Sequence, residues 1–218
     1  MMSDQSAFAR QRHAMVQRQI RGRGIREPAL LDAMCEVPRE EFVLEEYRAS
    51  AYDDAPLPIP ADQTISQPYV VALMIRALSL SADARVLEVG SGSGYASAIL
   101  SRIVREVHAV ERHQELAAYA RERLKKLGYD NVHVHHADGS TGWPPAAPYE
   151  GILVSASGPR IPAVLEQQLA LEGRLVMPIG RARGMQNLVR LTRVSQDEYR
   201  RQNLGGVRFV PLIGEEGW

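Results

Sequence analysis

The chain has 218 residues, 45% of them apolar and 24% charged, which suits one large globular domain or a domain with a small appendage. Its 26 Lys and Arg balance 26 Asp and Glu, so the broad basic field on which a dedicated nucleic-acid binder depends is absent. A single cysteine, Cys35, excludes an intrachain disulfide, and no leader or long unbroken apolar run is read, so the expected setting is a reducing cytoplasm with no membrane partner.

From about Ser6 to Met34 apolar residues recur at helical spacing. Gly22 and Gly24 divide the run, and Pro28 opens its second piece. The local basic stretch RQRHAMVQRQIRGRGIR reads as a solvated helix face, and Cys35 as a buried structural thiol. VPREEF begins a short helical segment ending near Tyr47. Pro56, Pro58 and Pro60 stand at alternate positions and predict an extended strap laid over a surface, outside any ladder. Four uncharged polar residues follow, Gln63, Thr64, Ser66 and Gln67, ahead of an apolar helix predicted over 68–80. One hydroxyl caps a helix, and Ser66 is well placed for that. The rest of the cluster needs another explanation. Residues 1–80 are expected to form a helical cap and strap packed on a core of residues 81–218.

After Asp83 the rhythm changes. ARVLEVG, EVHAVE, NVHVHHAD, YEGILVSA and GRLVMPIG read as strands. Helices are predicted between them, from Tyr95 to Val104, over QELAAYARERLKKLG with Gly128 as its stop, and over IPAVLEQQLALEG. MQNLVRLTRV and GVRFVPL supply two more strands with no helix between them, a pair that a short connection allows only as antiparallel. The expected fold is α/β: a three-layer, Rossmann-like, seven-stranded and mostly parallel sheet with an antiparallel terminal strand and an N-terminal helical extension. His133, His135 and His136 invite a metal reading, but on a strand the third points away from the first two, so a surface strand and no metal site are expected. Trp143 reads as a packed loop aromatic, and Tyr69 as either a cofactor contact or the start of a helix.

Ligands of open α/β sheets sit beyond the carboxyl ends of the strands, where strand order reverses. The first strand–turn–helix unit, RVLEVGSGSGYASAIL, puts Gly90, Gly92 and Gly94 there. Two ligand classes compete for such a turn. A dinucleotide fingerprint places its third glycine where this chain has Tyr95 in one register and Ser97 in the other. Glu88, two residues ahead of Gly90, would repel a pyrophosphate and attract a cation, as S-adenosylmethionine is. Glu111 ends the second strand and can take two ribose hydroxyls of either ligand. Asp138 ends the third, placed to accept from an adenine amino group, with Gly139 allowing close approach.

With LPIPADQTISQPYVVALM, HADGSTGWPPAAPYEGILVSA, IPAVLEQQLALEGRLVMPIG and VRFVPLIG added to that unit, the chain resembles the protein-L-isoaspartate O-methyltransferases from about Gln17 to Gly214. TISQPY is the diagnostic element; the glycine turn is shared with methyltransferases in general. The resemblance implies S-adenosyl-L-methionine as donor and isoaspartyl-containing peptides and proteins as partners, with a monomer expected. By carry-over, Ser66 takes the active-site position and orients the reacting carboxylate, while Gln63, Thr64, Ile65 and Ser66 line the cofactor. Glu88, Gly90, Ser91, Gly92 and Gly94 would hold its methionine end, Glu111 the ribose, and Asp138 with Gly139 the adenine. GVRFVPL would be an edge strand pairing with the substrate backbone, so that Val207, Phe209 and Val210 meet the peptide; strand alternation alone puts each in the sheet core. The family commonly has glycine where this chain reads Pro60-Ala61-Asp62, which predicts a stiffened or shifted strap. It usually has alanines before proline where this chain reads SASGPR, which predicts an altered pocket wall from Ser155 to Pro159. These departures leave a second enzymatic reading, a carboxyl methyltransferase acting on an aspartate of a dedicated peptide or on a small-molecule acid. A cofactor-binding module without turnover is opposed by the intact Ser66, Glu88, Glu111 and Asp138. A serine-hydrolase use of Ser66 lacks the strand–elbow context.

Overall fold

The computed structural model describes residues 2–182 and 184–218. Helix α1 (Met2–Met15) widens through a π turn at Val16–Ile20, tightens through a 3-10 turn at Arg21–Arg23 and stops at Gly24. Helix α2 (Pro28–Glu36) restarts with Pro28 in its first turn. Both breaks fall where the glycines and the proline place them. The VPREEF segment forms only two 3-10 turns, Arg39–Glu41 and Glu45–Ser50. Met15, Ile20, Ile25 and Met34 are buried in one apolar cluster with the first face of the sheet, so the N-terminal helices complete the core. Each such side chain contributes roughly 1.5–3 kcal/mol by leaving water. No helix among the described residues is long and apolar enough to cross a membrane.

The proline strap departs from expectation. Strand β1 (Leu57–Ile59) pairs antiparallel with β2 (Gln63–Ile65), so the strap is a hairpin. Alternate prolines explain how. Residues one apart point their amides to opposite sides, so Pro56, Pro58 and Pro60 share the outer side while Leu57 and Ile59 keep donors for β2. The turn holds Ala61 at φ 59° and Asp62 at φ 54°, left-handed positions where the family's glycine would be at ease. Helix α3 (Pro68–Leu78) follows with Gln67 as its cap residue and no side-chain capping bond, so Ser66 does not cap it. Tyr69 begins that helix and lies under the Arg23 guanidinium, 3.3 Å from its ring centre.

The remaining elements are β3 (Arg85–Val89), α4 (Tyr95–Ser101), β4 (Glu106–Glu111), α5 (Gln114–Lys126), β5 (Val132–His136), β6 (Tyr149–Val154), α6 (Ala163–Gln167), β7 (Leu169–Gly180), β8 (Gln186–Arg193) and β9 (Tyr199–Val207). The sheet order is β5-β4-β3-β6-β7-β8-β9, with parallel pairing through β7 and antiparallel pairing at β7/β8 and β8/β9. Strand alternation divides the core. Val86, Leu153 and Val176 face the cluster under α3, α4 and α5, while Leu87, Val89, Ile152, Val154 and Leu175 face a second cluster under α6. Gly94, at φ 88°, starts α4 and lies against α5: a Cβ there would come within 3.1 Å of Leu124.

Two further expectations are corrected. The helix read over IPAVLEQQLALEG ends at Gln167. Gln168 bonds the Thr141 carbonyl and the Trp143 amide through its side chain and the Tyr149 amide through its carbonyl, drawing Leu169 into the sheet. The last strand is not GVRFVPL; β9 ends at Val207, and the following residues leave the ladder. Its polar, largely exposed residues hid β9, because an edge strand wet on both faces shows no alternation. The histidines lie at the other edge. The His108 and His133 rings are 5.1 Å apart with 33° between planes, so their in-plane lone pairs do not converge on one ion, and His135 stacks on Trp143 at 3.9 Å.

Ala61→Gly should raise the unfolding free energy by roughly 0.5–1 kcal/mol, relief of left-handed strain outweighing the greater freedom of the unfolded chain. Urea unfolding of the two proteins side by side tests this; a loss of stability would show that the turn is not strained.

Candidate active site

Strand order reverses between β3 and β6, and the crevice beyond their carboxyl ends holds three connected spaces. A cavity of about 280 Å³ is lined by Gln63, Thr64, Gly90, Gly92, Glu111 and Gly139, with Val210 to Ile213 as its far wall. A chamber of about 40 Å³ lies under the strap, between Ile65, Ser66, Glu88 and Ser91. An open cleft of about 680 Å³ runs from Ser66 past Val70 and Met185 to Val207, Phe209 and Val210. Thr64 and Ser155 border all three, and Ser66 borders the chamber and the cleft. The sequence-predicted serine therefore stands where the spaces meet.

The glycine turn is shaped by main-chain bonds. Gly90 N–H donates to the Val110 carbonyl at 2.8 Å, and Gly92 N–H to Glu111 Oε2 at 3.0 Å. The other Glu111 oxygen accepts from His113 N–H at 2.9 Å, which leaves each oxygen a lone pair for a diol in the cavity. Gly139 borders the same cavity, and glycine is required there by packing: a Cβ would lie 2.6 Å from Val89 Cγ1 of β3.

Glu88 is 1% exposed at the tip of β3. Burial pushes its carboxyl up to about 8, and the Glu111 charge adds to that push, against hydroxyl bonds from Ser97 and Ser155. Without a cation beside it such a carboxyl stays protonated at neutral pH, and a cation placed there would let it ionise. The Ser91 hydroxyl beside it is buried with no hydrogen-bond partner among the described residues. An ammonium and carboxylate placed here would satisfy both, so the residues fit the methionine end of S-adenosylmethionine.

Not every predicted residue meets these spaces. Gly94 packs α4 on α5 and borders none of the three. Asp138 is turned to the protein: its carboxylate accepts from Ser140 N–H at 2.9 Å, Ser140 Oγ at 2.8 Å and Glu215 N–H at 2.8 Å. Partial burial pushes its carboxyl up, but those bonds outweigh it and hold it below its ordinary value. Of the polar cluster, Gln63 bonds the Ala61 carbonyl and Gln67 bonds Asp54 at 2.7 Å, leaving the hydroxyls of Thr64 and Ser66 for the ligand side. Residues with no sequence signal also matter. Gln186 accepts from Phe209 N–H at 2.9 Å, and Ser157 N–H donates to the Val210 carbonyl at 2.8 Å, so together they fix the wall shared by cleft and cavity. The altered SASGPR loop thus supplies Ser155 to Glu88 and Ser157 to that wall.

The sequence profile of the protein-L-isoaspartate (D-aspartate) O-methyltransferases matches residues 10–217. The chain belongs to this family. Protein-L-isoaspartate O-methyltransferase 2 of Pelobacter propionicus is 56% identical over 207 residues, covering 95% of this chain and 92% of that protein. Protein-L-isoaspartate O-methyltransferase 1 of Rhodopseudomonas palustris is 56% identical over 215 residues, covering 99% and 88%. Among solved structures, a protein-L-isoaspartate O-methyltransferase at 27% identity superposes with a TM-score of 0.86 over 94% of this chain and 67% of its own. A Plasmodium falciparum protein described as a protein-L-isoaspartate O-methyltransferase, in complex with S-adenosyl-L-homocysteine, does so with a TM-score of 0.80 at 25% identity, over 93% and 98%. Like others of the protein-L-isoaspartate O-methyltransferase family, this chain uses S-adenosylmethionine.

Glu88 yields a pH test. Its unfolded form ionises near 4.5 and its folded form near 8, so the stability it contributes is present below about 4.5 and lost as pH rises toward 8. Without ligand, Glu88→Gln should therefore be the more stable protein at pH 9 by roughly 2–4 kcal/mol. It should also bind S-adenosylhomocysteine about tenfold more weakly, through loss of the ammonium contact. Thermal unfolding and calorimetry check both; a variant less stable at pH 9 would refute the uncompensated acid.

Proposed function

We propose that this protein transfers a methyl group from S-adenosyl-L-methionine to the free carboxylate of L-isoaspartyl residues in damaged peptides and proteins. The observation that supports this most is the place of Ser66, between an open peptide-sized cleft and the chamber that ends at Glu88. When bound, S-adenosylmethionine supplies an electrophilic methyl on a positively charged sulfur.

The chain's own part is then orientation. An isoaspartyl carboxylate is ionised at neutral pH and needs no general base. Ser66, in our reading, donates its hydroxyl to one carboxylate oxygen and turns the other toward the chamber. Thr64 and Ile65 close the cofactor side, and the β1–β2 hairpin excludes water from the line of attack. Glu88 and Ser91 hold the methionine end, Glu111 takes the ribose, and Gly139 lies against the adenine. Asp138 serves that pocket by bracing Ser140 and Glu215. Val207, Phe209 and Val210 form an apolar floor for the peptide, and β9 offers main-chain groups to its backbone, a contact with little regard for side chains. Residues 1–80 act as cap and strap on the core of residues 81–218. The protein is read as a monomer, and the one thiol, Cys35, is free, which suits the cytoplasm.

A synthetic isoaspartyl peptide should be methylated while its aspartyl twin is not, read as methanol released by base from the labelled ester. Methylation of the aspartyl peptide alone would replace this reading with the dedicated-aspartate one. Ser66→Ala should lower kcat about 10- to 100-fold and leave the affinity for S-adenosylhomocysteine within about threefold.

A further inference from the structure

Ser66 lies in a stretch that regular structure does not hold. Strand β2 ends at Ile65, and α3 begins at Pro68, with the Gln67 carbonyl as the first to accept a helical bond, from Val71. The Ser66 carbonyl falls outside both ladders. Its partner is Arg39 Nη2, at 2.8 Å, from a segment 27 residues earlier.

Arg39 is unusual for its residue type. It is 0% exposed, although arginine is almost never fully buried unless paired with an acid. Its hydrogen bonds among the described residues go to main-chain carbonyls: Nε to Ala51 at 2.7 Å and Nη2 to Ser66. The third nitrogen, Nη1, is buried with no hydrogen-bond partner among the described residues. The planar group lies 4.7 Å from the ring centre of Tyr95, the first residue of α4 after the glycine turn. One rigid fork thus ties the N-terminal cap, the serine main chain and the helix that follows the cofactor turn. A lysine reaches with one rotatable point charge and cannot hold two carbonyls in a fixed plane.

We infer that Arg39 is the positioning residue of the methyl transfer: it fixes the Ser66 main chain, and through it the hydroxyl that orients the acceptor. This rests on the reading of Ser66 given above. An arginine placed only to stabilise the cap would serve as well against any main-chain pair. This one takes the carbonyl of the residue standing between the acceptor cleft and the cofactor chamber. Gln67 and Tyr69 are anchored independently on Asp54, through Gln67 Nε2 at 2.7 Å and Tyr69 N–H at 3.3 Å. Loss of Arg39 therefore leaves α3 seated while the Ser66 carbonyl loses its partner, along with the Ala51 carbonyl in the cap.

A double-mutant cycle on the full chain tests this, with kcat on an isoaspartyl peptide, Kd for S-adenosylhomocysteine and Tm measured for each protein. Arg39→Lys should lower kcat about tenfold when Ser66 is present, the scale expected of a misplaced orienting group. With Ser66→Ala in place, the same change should alter kcat less than about twofold, because the group it positions is gone. Kd should stay within about twofold throughout. Equal losses of kcat in both backgrounds, or a loss confined to Kd, would overturn the role of Arg39 and leave that of Ser66 standing. Unchanged kcat in Ser66→Ala alone would overturn both. If Arg39→Lys does not fold, replacing Gln67 by its α-hydroxy acid keeps Arg39 and makes the Ser66 carbonyl an ester, a weaker acceptor. That protein should lose kcat severalfold with Ser66 present and not with Ser66→Ala, by the same non-additivity; no loss in either would refute the proposal.

Discussion

Strand β3 is hydrogen-bonded on both sides to parallel strands that leave it in opposite directions, and every part of the site depends on that pairing. At its tip, the Val89 carbonyl takes the Ser155 amide at 2.8 Å while the Gly90 amide goes to Val110. These two bonds hold open the crevice into which β3, β4 and β6 all deliver their last residues. Helices cannot fill it, because the crossovers to β4 and β6 pass on opposite faces. The hairpin and the segment after β9 come in from either side instead. The cofactor cavity is walled by chain from both ends of the sequence because the sheet leaves no other material to wall it.

Charge and hydrogen bonding are divided between the two halves of the crevice. Acids stand on the cofactor side, where Glu88 is fully desolvated and Glu111 is shaped by two main-chain amides. Neutral hydroxyls stand where donor and acceptor meet. An acid at the position of Ser66 would repel an acceptor carboxylate, and a lysine would hold it tightly while weakening it as a nucleophile. The nearest buried cation, Arg39, spends its hydrogen bonds on main-chain carbonyls.

Strands β3, β4 and β6 were legible because burial on both faces enforces apolar runs, and the turn residues between the elements from Arg85 to Val154 have few alternatives. Legibility failed where an outside partner overrides the local pattern. Gln168 ends a helix that Leu165 and Leu169 would continue, and its partners lie 25 and 27 residues away. Three alternate prolines look hostile to a ladder until one sees that the amides facing β2 belong to Leu57 and Ile59. In the site, motif spacing located Ser66, Glu88 and Glu111. It could not show that Asp138 turns toward Glu215, because that contact spans 77 residues. Arg39 carried a signal that went unread: a charged residue inside VPREEF at a helix-like spacing looks like an exposed face.

Strand β9 is the open edge of the sheet, its last residues Gly206 and Val207 reaching the acceptor cleft, and such an edge can template an extended chain that reaches it. The same property threatens to zip two molecules together. Arg200 and Arg201 occupy its outer half, exposed, with Gln202 and Asn203 after them. Two copies meeting edge to edge would bring like-charged guanidinium groups together, whereas a short, damaged, flexible peptide brings no such row. The edge can therefore stay open to strangers at its cleft end while refusing its own kind.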